Sequence, residues 1–156
     1  MIHSADRAYK TMHQQQDEII DAFATLAGDR AAMLDYLIDL GMQLAPMDPI
    51  YKTDGYLVSG CMSKVWLADT IVDKRLFLQA DSNTVITKGL MSLLVKVYSG
   101  QPLQEVVATD LYFIQAIGID DLVGLQRSNG LAHMIKAIKL SSLGNYDQVS
   151  MQQVYQ

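Results

Sequence analysis

The order of patterned segments predicts an α+β fold, with a small antiparallel sheet of about three strands packed with helices. Three observations lead to it. Apolar residues recur at helical spacing toward both ends of the chain. A central stretch is rich in large and β-branched residues and is broken by Asp73-Lys74, a plausible hairpin tip. The elements run helices, then sheet, then helices, without strand–helix alternation. A dinucleotide-binding fold is therefore not expected, and no G-x-G-x-x-G or phosphate-binding loop occurs.

Residues 1–16 are mostly polar and are expected to form a flexible N-terminal segment ahead of a single domain over 17–140. A first helix starts near Asp17 with Ile19, Ile20, Phe23 and Leu26 as its stripe. Gly28 ends it, and Asp29 caps a second helix carrying Met33, Leu37, Leu40 and Leu44. The stretch 45–60 contains Pro46, Pro49, Gly55 and Gly60 and reads as a long connection. Tyr56-Leu57-Val58 is a short strand candidate; Val65-Trp66-Leu67-Ala68 and Leu76-Phe77-Leu78 are clearer ones. Asp81-Ser82-Asn83 offers caps for a long helix with Ile86, Leu90, Leu94 and Val97 on one face. Gly89 inside that helix costs up to about 1 kcal/mol against alanine, which predicts close packing on another element. Gly100 closes the helix, Pro102 opens a short one, and 111–117 reads as helix. The last helix follows Arg127-Ser128-Asn129-Gly130, with Leu131, Met134, Ile135 and Ile138 on one face. Residues 141–156 read as a loosely packed tail.

The chain has 156 residues, 12 basic and 17 acidic, for a net charge of −5. A chain of this size buries roughly 68–70% of its unfolded surface, so it needs no disulfide or metal to fold. Its one cysteine, Cys61, excludes an internal disulfide and a cysteine-only metal cage. The acidic balance argues against a nucleic-acid partner. No run approaches the roughly 18 apolar residues of a membrane helix, and residues 1–7 lack the apolar core of a signal peptide. These features suggest no membrane association and a cytoplasmic setting, where a thiol stays reduced.

Cys61 is the first candidate for chemistry. It sits in Gly60-Cys61-Met62-Ser63-Lys64-Val65-Trp66, where a glycine-containing loop enters a strand. Gly60 permits close approach of another chain, and turn amides with Ser63 and Lys64 nearby are positioned in sequence to stabilise a thiolate. The alternative is a buried cysteine acting as a small hydrophobe. Met62 is a candidate apolar lid over the thiol. A Cys–His nucleophilic pair would need His3, His13 or His133, and His133 reads more simply as a solvated or partly buried helix residue. No cluster has metal-ligand spacing. Arg127 offers a donor fork suited to a partner carboxylate, whereas Ser128 or Asn129 reads as an ordinary helix cap.

Three separated motifs resemble one family. They are Gly60-Cys61-Met62-Ser63-Lys64-Val65-Trp66; Ala80-Asp81-Ser82-Asn83 with Ile86 and Lys88-Gly89-Leu90; and Arg127-Ser128-Asn129-Gly130-Leu131. With Tyr51-Lys52-Thr53-Asp54 and Leu37-Ile38-Asp39-Leu40-Gly41, in this order over about 17–140, they resemble the SufE family. The resemblance implies an α+β architecture shared with IscU-like iron–sulfur scaffolds. It also implies that Cys61 is a persulfide acceptor, taking sulfur from a SufS-like, PLP-dependent cysteine desulfurase, stimulating that enzyme and passing the sulfur to an iron–sulfur scaffold complex. By the same resemblance the chain is a covalent sulfur carrier rather than an independent enzyme, with no bound cofactor. Gly60, Met62, Ser63, Lys64, Arg127, Asn129 and Gly130 then belong to the loop and the partner-binding surface. Two positions depart from the family pattern: Met62 stands where many members have Gln, and Asn83 where many have Asp.

A single cysteine suits such a carrier, since no second thiol can resolve the persulfide to a disulfide. An exposed persulfide would be lost to small thiols and oxidants. Cys61 is therefore expected to rest shielded among Leu57, Val58, Met62 and Val65 and to swing out on docking. Other readings are a non-covalent regulatory module of a desulfurase and a cluster-building scaffold, the latter disfavoured by the lack of further soft ligands.

Overall fold

In the computed structural model the described residues are 9–155, their side chains as far as residue 144. The expected flexibility of residues 1–8 lies outside them. Helix α1 (Met12–Ala24) starts earlier than its apolar stripe suggests, because Thr11 and Gln14 form a reciprocal capping box. Gln14 N–H donates to Thr11 Oγ1 at 3.1 Å and Thr11 N–H donates to Gln14 Oε1 at 2.8 Å. Met12 and Gln16 are buried, so the part of the N-terminal segment from residue 12 onward is ordered helix rather than a flexible lead. Helix α2 (Arg30–Met42) is capped as expected, with Ala32 N–H donating to Asp29 Oδ1 at 3.0 Å.

The connection after α2 contains two short 3-10 turns, Pro49–Tyr51 and Asp54–Tyr56. Strands β1 (Val65–Val72) and β2 (Arg75–Ser82) pair antiparallel, from Val65 opposite Ser82 to Val72 opposite Arg75. Asp73 and Lys74 both take positive φ, 52° and 63°, as a two-residue hairpin turn requires. The sheet has two strands. The third candidate, at Tyr56-Leu57-Val58, reduces to a bridge between Leu57 and Trp66. Gly60, at φ +86°, lies two residues after Val58 and takes the chain into the loop before β1.

Helix α3 (Val85–Tyr98) follows β2. Its N-cap is Thr84, without a side-chain capping bond, while Asp81 and Ser82 finish the strand; the predicted capping role of Asp81-Ser82-Asn83 is not realised. Helices α4 (Leu103–Ala108), α5 (Phe113–Ile117) and α6 (Ile119–Val123) are short. Helix α7 (Leu125–Tyr155) starts directly after Gly124, so Ser128 and Asn129 lie within it and do not cap it. The Ser128 hydroxyl instead donates to the Asp120 carboxylate. The helix continues through the stretch expected as a tail, and Ser142 on it is buried.

The core gathers Leu37, Leu90, Leu94, Tyr98, Phe113, Met134 and Ile138 from α2, α3, α5 and α7, each burial contributing about 1.5–3 kcal/mol for the aliphatic and aromatic side chains. Gly89 has the close neighbour its position implies. A Cβ there would lie 2.4 Å from the Leu37 carbonyl oxygen, and one at Gly41 would lie 2.6 Å from Gly89 N. The two glycines let α2 and α3 touch main chain to main chain. Among the described residues no helix is long and apolar enough to cross a membrane.

Candidate functional site

The loop between Val58 and Val65 is pinned at both feet. Val58 N–H donates to Val65 O at 2.9 Å. On the other side Lys64 N–H donates to Asn83 Oδ1 at 3.0 Å, and Asn83 N–H returns a bond to Lys64 O at 3.1 Å. Asn83 therefore uses its amide to clamp the loop. Ser63 Oγ lies 2.9 Å from Thr84 Oγ1, and the buried Thr87 hydroxyl donates to it at 3.3 Å. Ser63 thus ties the loop to the first turn of α3, and its hydroxyl is occupied there rather than at the thiol. Lys64 is exposed and joins the clamp through its main chain.

Between these feet the tip rests on α7. Cys61 is half-buried, and its thiol donates to the Gly130 carbonyl at 3.6 Å, a long sulfur hydrogen bond. A Cβ on the buried Gly130 would lie 3.6 Å from Cys61 Sγ, in ordinary contact. Next door, the face of the His133 ring covers Gly60: Cγ, Cδ2 and Cε1 would all lie 2.7 Å from a Cβ at that position. Met62 is 83% exposed. It lies at the mouth of the site and is not the apolar lid expected from its position; α7 supplies the shielding.

Cys61 opens onto a cavity of about 480 Å³ shared with Ser63, Thr87, Arg127, Gly130 and Met134. The structure thus brings Cys61, Met62, Ser63, Arg127 and Gly130 together. Arg127 is exposed on the cavity wall, and its guanidinium donates to Val123 O at 3.1 Å, closing the carboxyl end of α6. Asn129 is exposed on α7 and, like Lys64 and Gly60, does not line the cavity. Thr87 is a part of the site that sequence reasoning does not place there; His133, weighed in the sequence only as a possible partner of a nucleophilic thiol, stands instead against Gly60. The spacing Thr84-x-x-Thr87 is the available signal for Thr87, since it puts two hydroxyls on one helix face.

Burial pushes the Cys61 thiol above its ordinary value. The resting group is thus a neutral thiol donating to a carbonyl, not the stabilised thiolate that Ser63 and Lys64 suggest. His13 is stacked on Tyr112 with ring centroids 5.6 Å apart. His3 lies outside the described residues. Among the described residues no three His, Cys, Asp or Glu side chains gather closely enough to hold a metal ion.

Behind the loop, Asp81 bridges two cations, Lys52 at 2.8 Å and Lys88 at 3.3 Å. Burial works against its charge, yet the Lys52 hydrogen bond, the Ser82 amide and Lys88 together hold its carboxyl below the usual range. Lys52 also lies over the Trp66 ring, 5.1 Å from its centroid, so this cluster fastens the connection after α2 onto the sheet.

A family model described as "SufE: Fe-S metabolism associated domain" matches residues 17–142. A protein of Arabidopsis thaliana named "SufE-like protein 1, chloroplastic/mitochondrial" is 34% identical over 127 residues, covering 81% of this chain and 34% of the relative. The chain therefore spans about a third of that plant protein's length. A SufE-like protein of Rhizobium etli is 36% identical over 128 residues, covering 79% of this chain and 86% of the relative. A solution structure of a hypothetical protein from Thermus thermophilus superimposes with a TM-score of 0.69, covering 83% of this chain and 94% of that one. At 14% identity it speaks to the fold alone.

Proposed function

Since the chain belongs to the SufE family, a family of iron–sulfur metabolism, we propose that Cys61 accepts sulfur as a persulfide from a SufS-like cysteine desulfurase and hands it to an iron–sulfur scaffold complex. The observation that carries the reading is the placement of the chain's one thiol, on a loop tip, half-buried at a cavity it shares with Arg127. A thiol on a loop tip that rests on α7 through one long sulfur hydrogen bond can leave it to reach into a partner's site; one in the middle of a strand cannot.

The exchange moves one sulfur atom and leaves the overall redox count unchanged. Cys61 gives up its proton to solvent or to a partner base. Its thiolate attacks the outer sulfur of the desulfurase persulfide. A new S–S bond forms on Cys61, the old one breaks, and the desulfurase cysteine leaves as a thiolate and takes up a proton. The resting neutral thiol is protected from adventitious reaction, and leaving the α7 carbonyl for a more polar setting lowers its pKa as attack begins. Once formed, the persulfide fits the cavity, where the Arg127 guanidinium is available to balance its charge. Met62 and Leu125, 83% and 71% exposed at the rim, give a partner an apolar surface to cover. PLP chemistry belongs to the desulfurase in this scheme, and a reducing compartment such as the cytoplasm suits it.

The test is to incubate the protein with a cysteine desulfurase and free cysteine and to record an intact mass without reductant. The expected result is a gain of one sulfur atom that Cys61→Ser does not show. No gain, with an established acceptor charged in parallel, refutes the covalent reading. If the desulfurase is then still stimulated, and equally by Cys61→Ser, the protein is a non-covalent regulatory module.

A further inference from the structure

Two residues one helical turn apart on α7 hold the tip of the loop: Gly130 meets Cys61 and His133 meets Gly60. The contacts differ in kind. Cys61 to Gly130 is a single long sulfur hydrogen bond of 3.6 Å, weak and broken as soon as the thiol ionises or reacts. Gly60 to His133 is a flat steric contact, with three ring atoms equidistant from the space a Cβ would need. Gly60 itself sits at φ +86°, a conformation in which glycine is strongly favoured, so its bare α-carbon faces the ring. The ring is exposed on its other side and lines a second cavity of about 400 Å³, with Leu57, Val58 and Ser59 on the loop side. It therefore stands as a wall beside the entering arm of the loop.

We infer that His133 is the positioning residue that keeps the Cys61 loop seated on α7, with the imidazole face as the surface against which Gly60 rests. In its physiological role this rests on the reading of Cys61 as a sulfur acceptor, since a seated loop shelters a persulfide between donor and recipient. Its geometry does not depend on that reading. The contact uses the plane of the ring rather than its proton, so a flat apolar ring serves as well. It is also coupled to Gly60: an added Cβ at that position and the ring cannot both occupy the same space.

The test measures the rate at which iodoacetamide alkylates Cys61 at fixed pH in the parent, His133→Ala, His133→Phe, Gly60→Ala and Gly60→Ala/His133→Ala, with a urea midpoint for each. His133→Ala is expected to react roughly fivefold faster, as loss of a ring's dispersion contacts implies. His133→Phe restores the parent rate. Gly60→Ala already unseats the tip, so adding His133→Ala to it brings less than twofold further change. A rise below threefold for His133→Ala overturns the inference. So does a His133→Phe rate equal to that of His133→Ala, or a rise that tracks a lowered urea midpoint, which would mean global opening exposes the thiol. Alkylation involves no sulfur transfer. Failure of the mass-spectrometric test above with success here would remove the acceptor function and leave the positioning role, and the reverse pattern would do the opposite.

Discussion

Replacing Gly89 by alanine puts a methyl carbon 2.4 Å from the Leu37 carbonyl oxygen and 2.8 Å from Leu37 Cγ. Ordinary carbon–oxygen contacts lie at about 3.3 Å, so α2 and α3 must part by roughly 1 Å. The nearest atom is main chain, within a helix, and cannot swing aside as a side-chain tip would. Overpacking of this kind costs about 1–3 kcal/mol, and a backbone clash belongs at the upper end. Alanine returns at most about 1 kcal/mol of helix propensity. The net expectation is a loss of about 2 kcal/mol, which for a chain of this size lowers the melting temperature by roughly 4–8 °C. Gly144→Ala is the control: it lies in α7, and among the described residues nothing beyond its chain neighbours and its own helix backbone comes within 4 Å of the new Cβ, so propensity dominates and stability rises by roughly 0.5–1 kcal/mol. Calorimetry or urea unfolding with tryptophan fluorescence, using the single Trp66, reads both. If Gly89→Ala matches or exceeds the parent in stability, main-chain contact does not explain this glycine.

The raised thiol pKa of Cys61 predicts that its alkylation rate climbs with pH along a curve displaced to higher pH than that of an unstructured peptide carrying the same cysteine; coincident curves would show that burial does not reach the sulfur. Asp81, held below the usual carboxylate range by its partners, contributes stability that is present above the ordinary aspartate value and is lost as pH falls through its folded-state value. Asp81→Asn should accordingly destabilise at pH 7, and the gap to the parent should narrow as the pH drops below about 4; a gap independent of pH would contradict the ion-pair account.

Much of the framework is legible because the signals are local. Asp29 capping α2 and the Asp73-Lys74 turn each rest on chemistry within a few residues, and Gly89 stands out inside its own helix although the contact it serves, with Leu37, is distant in sequence. Sequence and structure part where one residue type serves two purposes. Asn83 reads as a cap since its side chain accepts a main-chain N–H, and it does accept one, but from Lys64 across the loop. Ser128 and Asn129 read as caps, yet Gly124 already breaks the chain and α7 begins before them. The Thr11–Gln14 box is a start signal in plain view, masked by the polar character of the residues around it. At the candidate site, the position of Cys61 on a loop is readable. Its support is not: Gly130 and His133 reach it from a helix distant in sequence, and the burial that raises its pKa exists only once α7 has packed.

The placement of Leu131, Met134 and Ile138 on the same helix as Gly130 and His133 has a kinetic consequence. Those three side chains are at most 3% exposed. Rolling α7 far enough to release the tip would drag them out of the core, at about 2–5 kcal/mol for each one lost. The cheap motion belongs to the other party, the few residues between Val58 and Lys64. Loop motions of that scale take nanoseconds to microseconds, whereas rearrangement of packed elements runs to milliseconds. Unseating the thiol is then far faster than typical enzyme turnover, and the pace of any exchange at Cys61 is left to encounter and bond making.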